Sequence, residues 1–78
     1  MSISAVGNLV VWVVYCNPRD HPGKWVLRAQ EITNDGPVMH LDCYVADTLE
    51  AVRDAVPPGD TLMPRHPDDD PVIYEVWI

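Results

Sequence analysis

The chain has 78 residues, 47% of them hydrophobic and 22% charged, and a net charge of −7. That length fits a single domain spanning 1–78, and the composition excludes a disordered chain. Five Lys and Arg in all are too few to clamp a phosphate backbone, which argues against direct nucleic-acid binding.

Residues 8–16, "NLVVWVVYC", are nearly all apolar and rich in Val, the pattern of a strand buried on both faces and central in its sheet. Residues 16–25, "CNPRDHPGKW", follow. Asn17 suits an Asx-turn, Pro18 stops strand pairing, and Pro22-Gly23 suits the centre of a type II turn, where glycine supplies the positive φ. Residues 24–33, "KWVLRAQEIT", alternate: Trp25, Leu27 and Ala29 on one face, Val26, Arg28, Gln30 and Ile32 on the other. The two strands form an antiparallel hairpin. "NDGP" at 34–37 marks another turn. The run "VMHLDCYVA" after it reads equally as a third, edge strand or as an extended passage.

"DTLEAVRDAVPPG", residues 47–59, predicts a helix. Asp47 is its candidate cap, with Glu50 in capping-box position. Leu49, Val52 and Val56 make an apolar stripe, and Pro57, Pro58 and Gly59 end it. Asp47, Glu50 and Asp54 project from a different side. Residues 59–70 read as a proline-rich linker, and "PVIYEVWI" as a closing strand with Ile73, Glu75 and Trp77 on one face.

The expected fold is α+β: a small, mainly antiparallel sheet of three or four strands in the order β-β-(β)-α-β, with one helix on one face. The last strand is expected beside the first, antiparallel to it in a three-stranded sheet and parallel in a four-stranded one. The helix leaves one face open, expected to carry Val26, Arg28, Ile73, Glu75 and Trp77. A patch of that size is expected to be covered by a second copy, making a homodimer; the competing expectation is that residues 61–67 fold over it.

The acidic excess lies wholly in the second half, where residues 42–78 hold nine acids and two bases. It predicts a solvated face, with a basic partner protein as the functional reading. Two cysteines do not make a disulfide framework. The apolar run at 9–16 is too short to span a membrane and lacks basic residues before it and a cleavage site after it. A cytoplasmic protein is expected, with no membrane partner.

Cys16, His21, His40 and Cys43 form a complete donor set for tetrahedral zinc, which a small domain would gain from, although their spacing matches no standard finger or ribbon. Free cysteine is equally a small core hydrophobe. "PDDDP" at 67–71 offers carboxylates for a hard cation, but without an EF-hand pattern it reads as a charged guard before a sticky strand, and His66 reads as exposed. Asp20 and His21 look like a dyad on paper, yet sequence neighbours point apart and a nucleophile is missing. There is no nucleophile-elbow, phosphate-loop or dinucleotide motif. No cofactor and no catalytic residue is expected; a small enzyme would need a site at a dimer interface.

"VVYCNPRDHPGKWVLR", then "VADTLEAVRDAVPPG", then "DDPVIYEVWI" resembles small uncharacterised proteins of bacterial and phage genomes, built as strand, NP-x-D-x-PG turn, strand, helix and a strand ending in E-V-W. The resemblance covers most of the chain after Gly7 and implies no activity. Cys16 and His21 lie outside its pattern, which leaves Asn17, Pro18, Asp20, Pro22 and Gly23 as a turn signature and weakens the zinc reading. The expected function is a non-catalytic protein-interaction module, a phage or prophage accessory factor. Its candidate contacts are the open sheet face and the loop tip, Arg19, Asp20 and His21, with the acidic helix flank third.

Overall fold

The computed structural model describes residues 2–63 and 72–78. In chain order the elements are β1 (Ser2–Ile3), β2 (Leu9–Cys16), β3 (Trp25–Thr33), β4 (Gly36–Ala46), α1 (Leu49–Asp54), β5 (Leu62–Met63) and β6 (Ile73–Trp77). The strands form one sheet in the order β4-β3-β2-β6-β5, with β1 also paired to β2. Every pairing is antiparallel. The Val-rich β2 is central, as its two-sided apolar pattern requires.

The sheet has six strands among the described residues, more than the three or four expected. The ambiguous run after "NDGP" is a full strand of 11 residues at the edge. Nevertheless β6 runs antiparallel to β2, where a four-stranded count made that pair parallel. The reason is β5. Leu62 and Met63 pair with Trp77 and Val76, and Thr61 and Ile78 exchange backbone hydrogen bonds at 2.6 and 2.9 Å. The chain therefore makes an extra pass beyond the helix, and its direction reverses before β6. This described part of the linker extends the sheet at its edge instead of covering a face; residues 64–71, with His66 and the "DDD" run, lie outside the described residues.

The loop at 17–24 has the geometry its sequence specifies. Asn17 sits at φ 52°, and its Oδ1 accepts from the Gly23 N–H at 2.6 Å. The Lys24 N–H donates to the His21 carbonyl at 3.2 Å around Pro22 and Gly23, with Gly23 at φ 74°.

The helix is capped by Thr48 and not by Asp47. Thr48 is extended at φ −130° and its hydroxyl accepts from the Ala51 N–H at 3.2 Å. Asp47 instead pairs with Lys24, tying the loop to the approach to the helix. The helix lies over β3 and β4. Its Val52 is fully buried against Val14 and Leu27, and Leu49, Val56, Trp12, Trp25, Ala46 and Trp77 pack around that cluster. Burying an aliphatic side chain of this kind contributes about 1.5–3 kcal/mol.

Candidate functional site

Strand register decides which side chains share a face, and it splits the patch expected on the open side. Trp12 lies opposite Trp77 and Val14 opposite Glu75, but Tyr15 lies opposite Ile73. One extra residue, Tyr74, is accommodated by a bulge, and strict alternation fails there. Ile73 stays on the face away from the helix, whereas Glu75 and Trp77 turn to the helix side. Trp77 packs on the core and Glu75 is buried at 6% exposure. Neither belongs to an open surface.

Glu75 is instead a structural clasp. Arg53 Nε donates to its Oε1 at 3.1 Å, Arg53 Nη2 donates to its Oε2, and Trp77 Nε1 donates to Oε1 at 3.3 Å. The Glu75 hydrogen bond, first, raises the Arg53 pKa above its ordinary value. Sequence reading missed this pair. The one available signal was a lone acid in an otherwise apolar strand with an arginine on the helix.

Val26 and Arg28 do lie on the side away from the helix, beside Tyr15, Val13 and Cys43. The centre of that face is not wet: Val13 and Val26 are buried. Over one end of it the loop turns back and frames an open cleft of about 680 Å³, lined by Tyr15, Pro18, Val26, Arg28, Met39 and Val72 among others. The Arg28 guanidinium is modestly partnered there. Nη1 meets the Met39 sulfur at 3.1 Å and Nη2 meets Asp20 at 3.4 Å, while Nε is buried without a partner. The Cys43 side chain, more than the Asp20 carboxylate, raises the Arg28 pKa against the effect of burial.

The loop-tip residues fall on the rim of this cleft. Arg19 and Asp20 are exposed and His21 is half-buried. The His21 ring lies 3.8 Å from Asp20, beyond hydrogen-bond distance, and the pair holds no nucleophile.

The four candidate zinc ligands are not brought together, and the described residues hold no group of three or more metal-capable side chains. Cys16 sits opposite Trp25 on the helix side, Cys43 opposite Arg28 on the other. The His40 Nε2 lies 3.3 Å from Glu31 and leaves the ring half exposed, and the His21 ring lies beside Asp20. Glu31 also accepts from Asn8 Nδ2 at 2.8 Å and from Ser4 Oγ at 3.1 Å. The Asn8 amide, then His40, hold its carboxyl below the ordinary value.

Four of the large apolar side chains that are exposed lie on β4. Val38, Met39, Tyr44 and Val45 are 52%, 43%, 48% and 38% exposed. This strand ends the sheet, so its outer backbone edge has no neighbouring strand among the described residues. On the helix flank Asp47, Glu50 and Asp54 are all exposed.

No family model, curated protein or solved structure matches the chain. No helix among the described residues is long and apolar enough to cross a membrane.

Proposed function

We propose that this chain is a non-catalytic protein-interaction module that works as a homodimer. The observation that supports this best is the outer strand β4: 11 residues long at the sheet edge, with four large apolar side chains exposed along it. Such an edge is a template for strand addition, and proteins that do not use one usually blunt it by shortness, charge, proline or a bulge. Here Asp42 is the one formal charge, and Pro37 and the irregular pairing at 40–42 interrupt the strand at its start and middle while leaving it 11 residues long. The self-associating surface is therefore this strand, in place of the sheet face that sequence alone suggested.

A second protein would meet the rim residues Arg19, Asp20 and His21, or, if its surface is basic, the helix flank Asp47, Glu50 and Asp54. A phage or prophage accessory factor is the role proposed, and two free cysteines together with an apolar run at 9–16 too short to span a membrane support a cytoplasmic setting. Zinc binding through Cys16, His21, His40 and Cys43 has less support, because these side chains answer to other partners or opposite faces. An enzyme would need convergent polar groups that the Asp20–His21 pair does not supply.

Sedimentation over a concentration series tests the reading. A mass rising from one copy to two supports it; one copy at every concentration up to the millimolar range overturns it.

A further inference from the structure

We propose that two copies join through β4 in a single register, antiparallel about a two-fold axis at Leu41, so that His40 of each copy lies opposite the partner's Asp42. This rests on the self-association reading above and adds the geometry of the contact.

Two sheets that continue each other antiparallel must be related by an axis perpendicular to the sheet. Side chains on the helix side of one copy then meet side chains on the helix side of the other. In β4, Val38 pairs with Glu31 and Tyr44 with Leu27, both helix-side positions; Met39 pairs with Gln30 and Cys43 with Arg28, both on the other side. Keeping the faces together near the middle of the strand leaves three registers, centred on His40, Leu41 or Asp42.

Centring on His40 sets histidine against histidine and Val38 against Asp42. Centring on Asp42 sets two carboxylates directly opposite, which destabilises a strand pair. Centring on Leu41 sets Val38 against Tyr44, Met39 against Cys43 and His40 against Asp42, each pair occurring twice. Apolar then meets apolar, a β-branched side chain meets an aromatic ring, and a base meets an acid, the combinations that favour cross-strand pairing. The segment "VMHLDCY" is complementary to its own reverse.

Two further features agree. The β3–β4 register slips between Arg28 and Gln30, so that His40, Leu41 and Asp42 stand against Ala29 alone. The axis passes through the middle of this irregular segment, and the irregularities of the two copies coincide instead of shifting one another. Pro37 has no N–H to donate, which confines the pairing to residues 38–44 and removes the ends as competing starts.

The test uses the native Cys43. In this register Met39→Cys places its thiol opposite the partner's Cys43, at the separation a disulfide spans. Within one copy the same two positions stand opposite Gln30 and Arg28, only two residues apart on β3, so the cross-link is read in a mixture of wild type with Met39→Cys/Cys43→Ser, in which neither chain holds both thiols. Full-length wild type, the double variant and their equal mixture are compared by native mass spectrometry, then by non-reducing electrophoresis after mild oxidation. The expected result is that each protein dimerises without cross-linking alone, and that the mixture cross-links through a peptide joining 39 to 43. A wild-type dimer whose mixture with the folded double variant fails to cross-link overturns the register and leaves self-association standing. A wild-type monomer overturns both. As a second variant, Asp42→Lys is expected to weaken the dimer about tenfold with an unchanged circular dichroism spectrum; unchanged affinity overturns the charge pairing.

Discussion

Arg53 and Glu75 fasten the helix to the sheet by a two-pronged contact, with Arg53 Nε on one carboxylate oxygen and Nη2 on the other. The carboxylate lies between the Arg53 fork and the Trp77 indole, with almost no access to water. Removing one partner of such a contact leaves the other stranded, which costs more than the contact itself contributes. Arg53→Ala is therefore expected to lower the melting temperature by on the order of 10 °C. Glu75→Gln, which keeps an acceptor and loses the charge, is expected to lower it by less. Thermal unfolding followed by circular dichroism compares the two, and equal losses would show that the charge, not the stranded group, sets the cost.

Val52 is the one helix residue that is fully buried, against Val14 and Leu27. Val52→Ala removes two methyl-sized groups from that contact and is expected to cost about 2 kcal/mol. Urea unfolding measures it. For a domain this small that is a large share of the total, since stability runs at roughly 0.05–0.15 kcal/mol per residue.

The loop makes a paired prediction. Gly23 at φ 74° has open space where a Cβ would sit, so Gly23→Ala is expected to cost about 1 kcal/mol from backbone strain alone. Asn17→Ala removes the acceptor for the Gly23 N–H and is expected to cost a similar amount, while Asn17→Asp keeps the acceptor and most of the stability. Denaturation midpoints of the three variants decide it; a harmless Asn17→Ala would mean that Pro18 and Pro22 hold the loop unaided.

Glu31 predicts a pH dependence. Its carboxyl is held low by the Asn8 amide first, then by His40, so the folded state favours the charged form more than the unfolded state does. The sign follows from linkage: the contribution is fully present above the ordinary carboxylate value of about 4.3 and is lost as pH falls through the lower folded value. Glu31→Gln should be less stable than wild type at pH 7, with the gap closing as the solution is acidified below pH 4. Melting temperatures of both proteins across that range test it, and a gap independent of pH would assign the effect to packing.

What could be read from the sequence was what is local. Asn17, Pro22 and Gly23 act within a few residues of one another, so their turn was legible without a fold. The Leu49–Val52–Val56 stripe needed only the helical period, and it faces the core as expected. The cap was misplaced by one residue because Asp47 and Thr48 are both good caps, and the contact with Lys24, remote in sequence, engages Asp47. The sides of Glu75 and Trp77 were out of reach, because the bulge at Tyr74 is set by tertiary contacts, including a Trp25 ring edge-on to Tyr74 with centroids 4.9 Å apart. The direction of β6 turned on a pairing only two residues long, Leu62 and Met63, too short to leave a periodic signal. Among the candidate contacts, Arg19, Asp20 and His21 were legible as a loop tip. The exposure of β4 was not, since a strand's place at the edge depends on the whole strand order.

The central place of β2 carries a kinetic consequence. One of its flanks is filled by β3, which follows after a single short loop; the other is shared by β1, at residues 9 and 10, and by β6, at residues 12–15, which lies beyond almost every other element. Closing the short loop costs far less entropy than closing the long one. The β2–β3–β4 meander is thus expected to assemble early, leaving residues 12–15 of the most apolar strand bare along one side until β6 docks. During that interval any extended apolar segment that reaches β2 first competes for its open flank, so the yield of refolding is set by how fast the two ends of the chain meet and by how crowded the solution is.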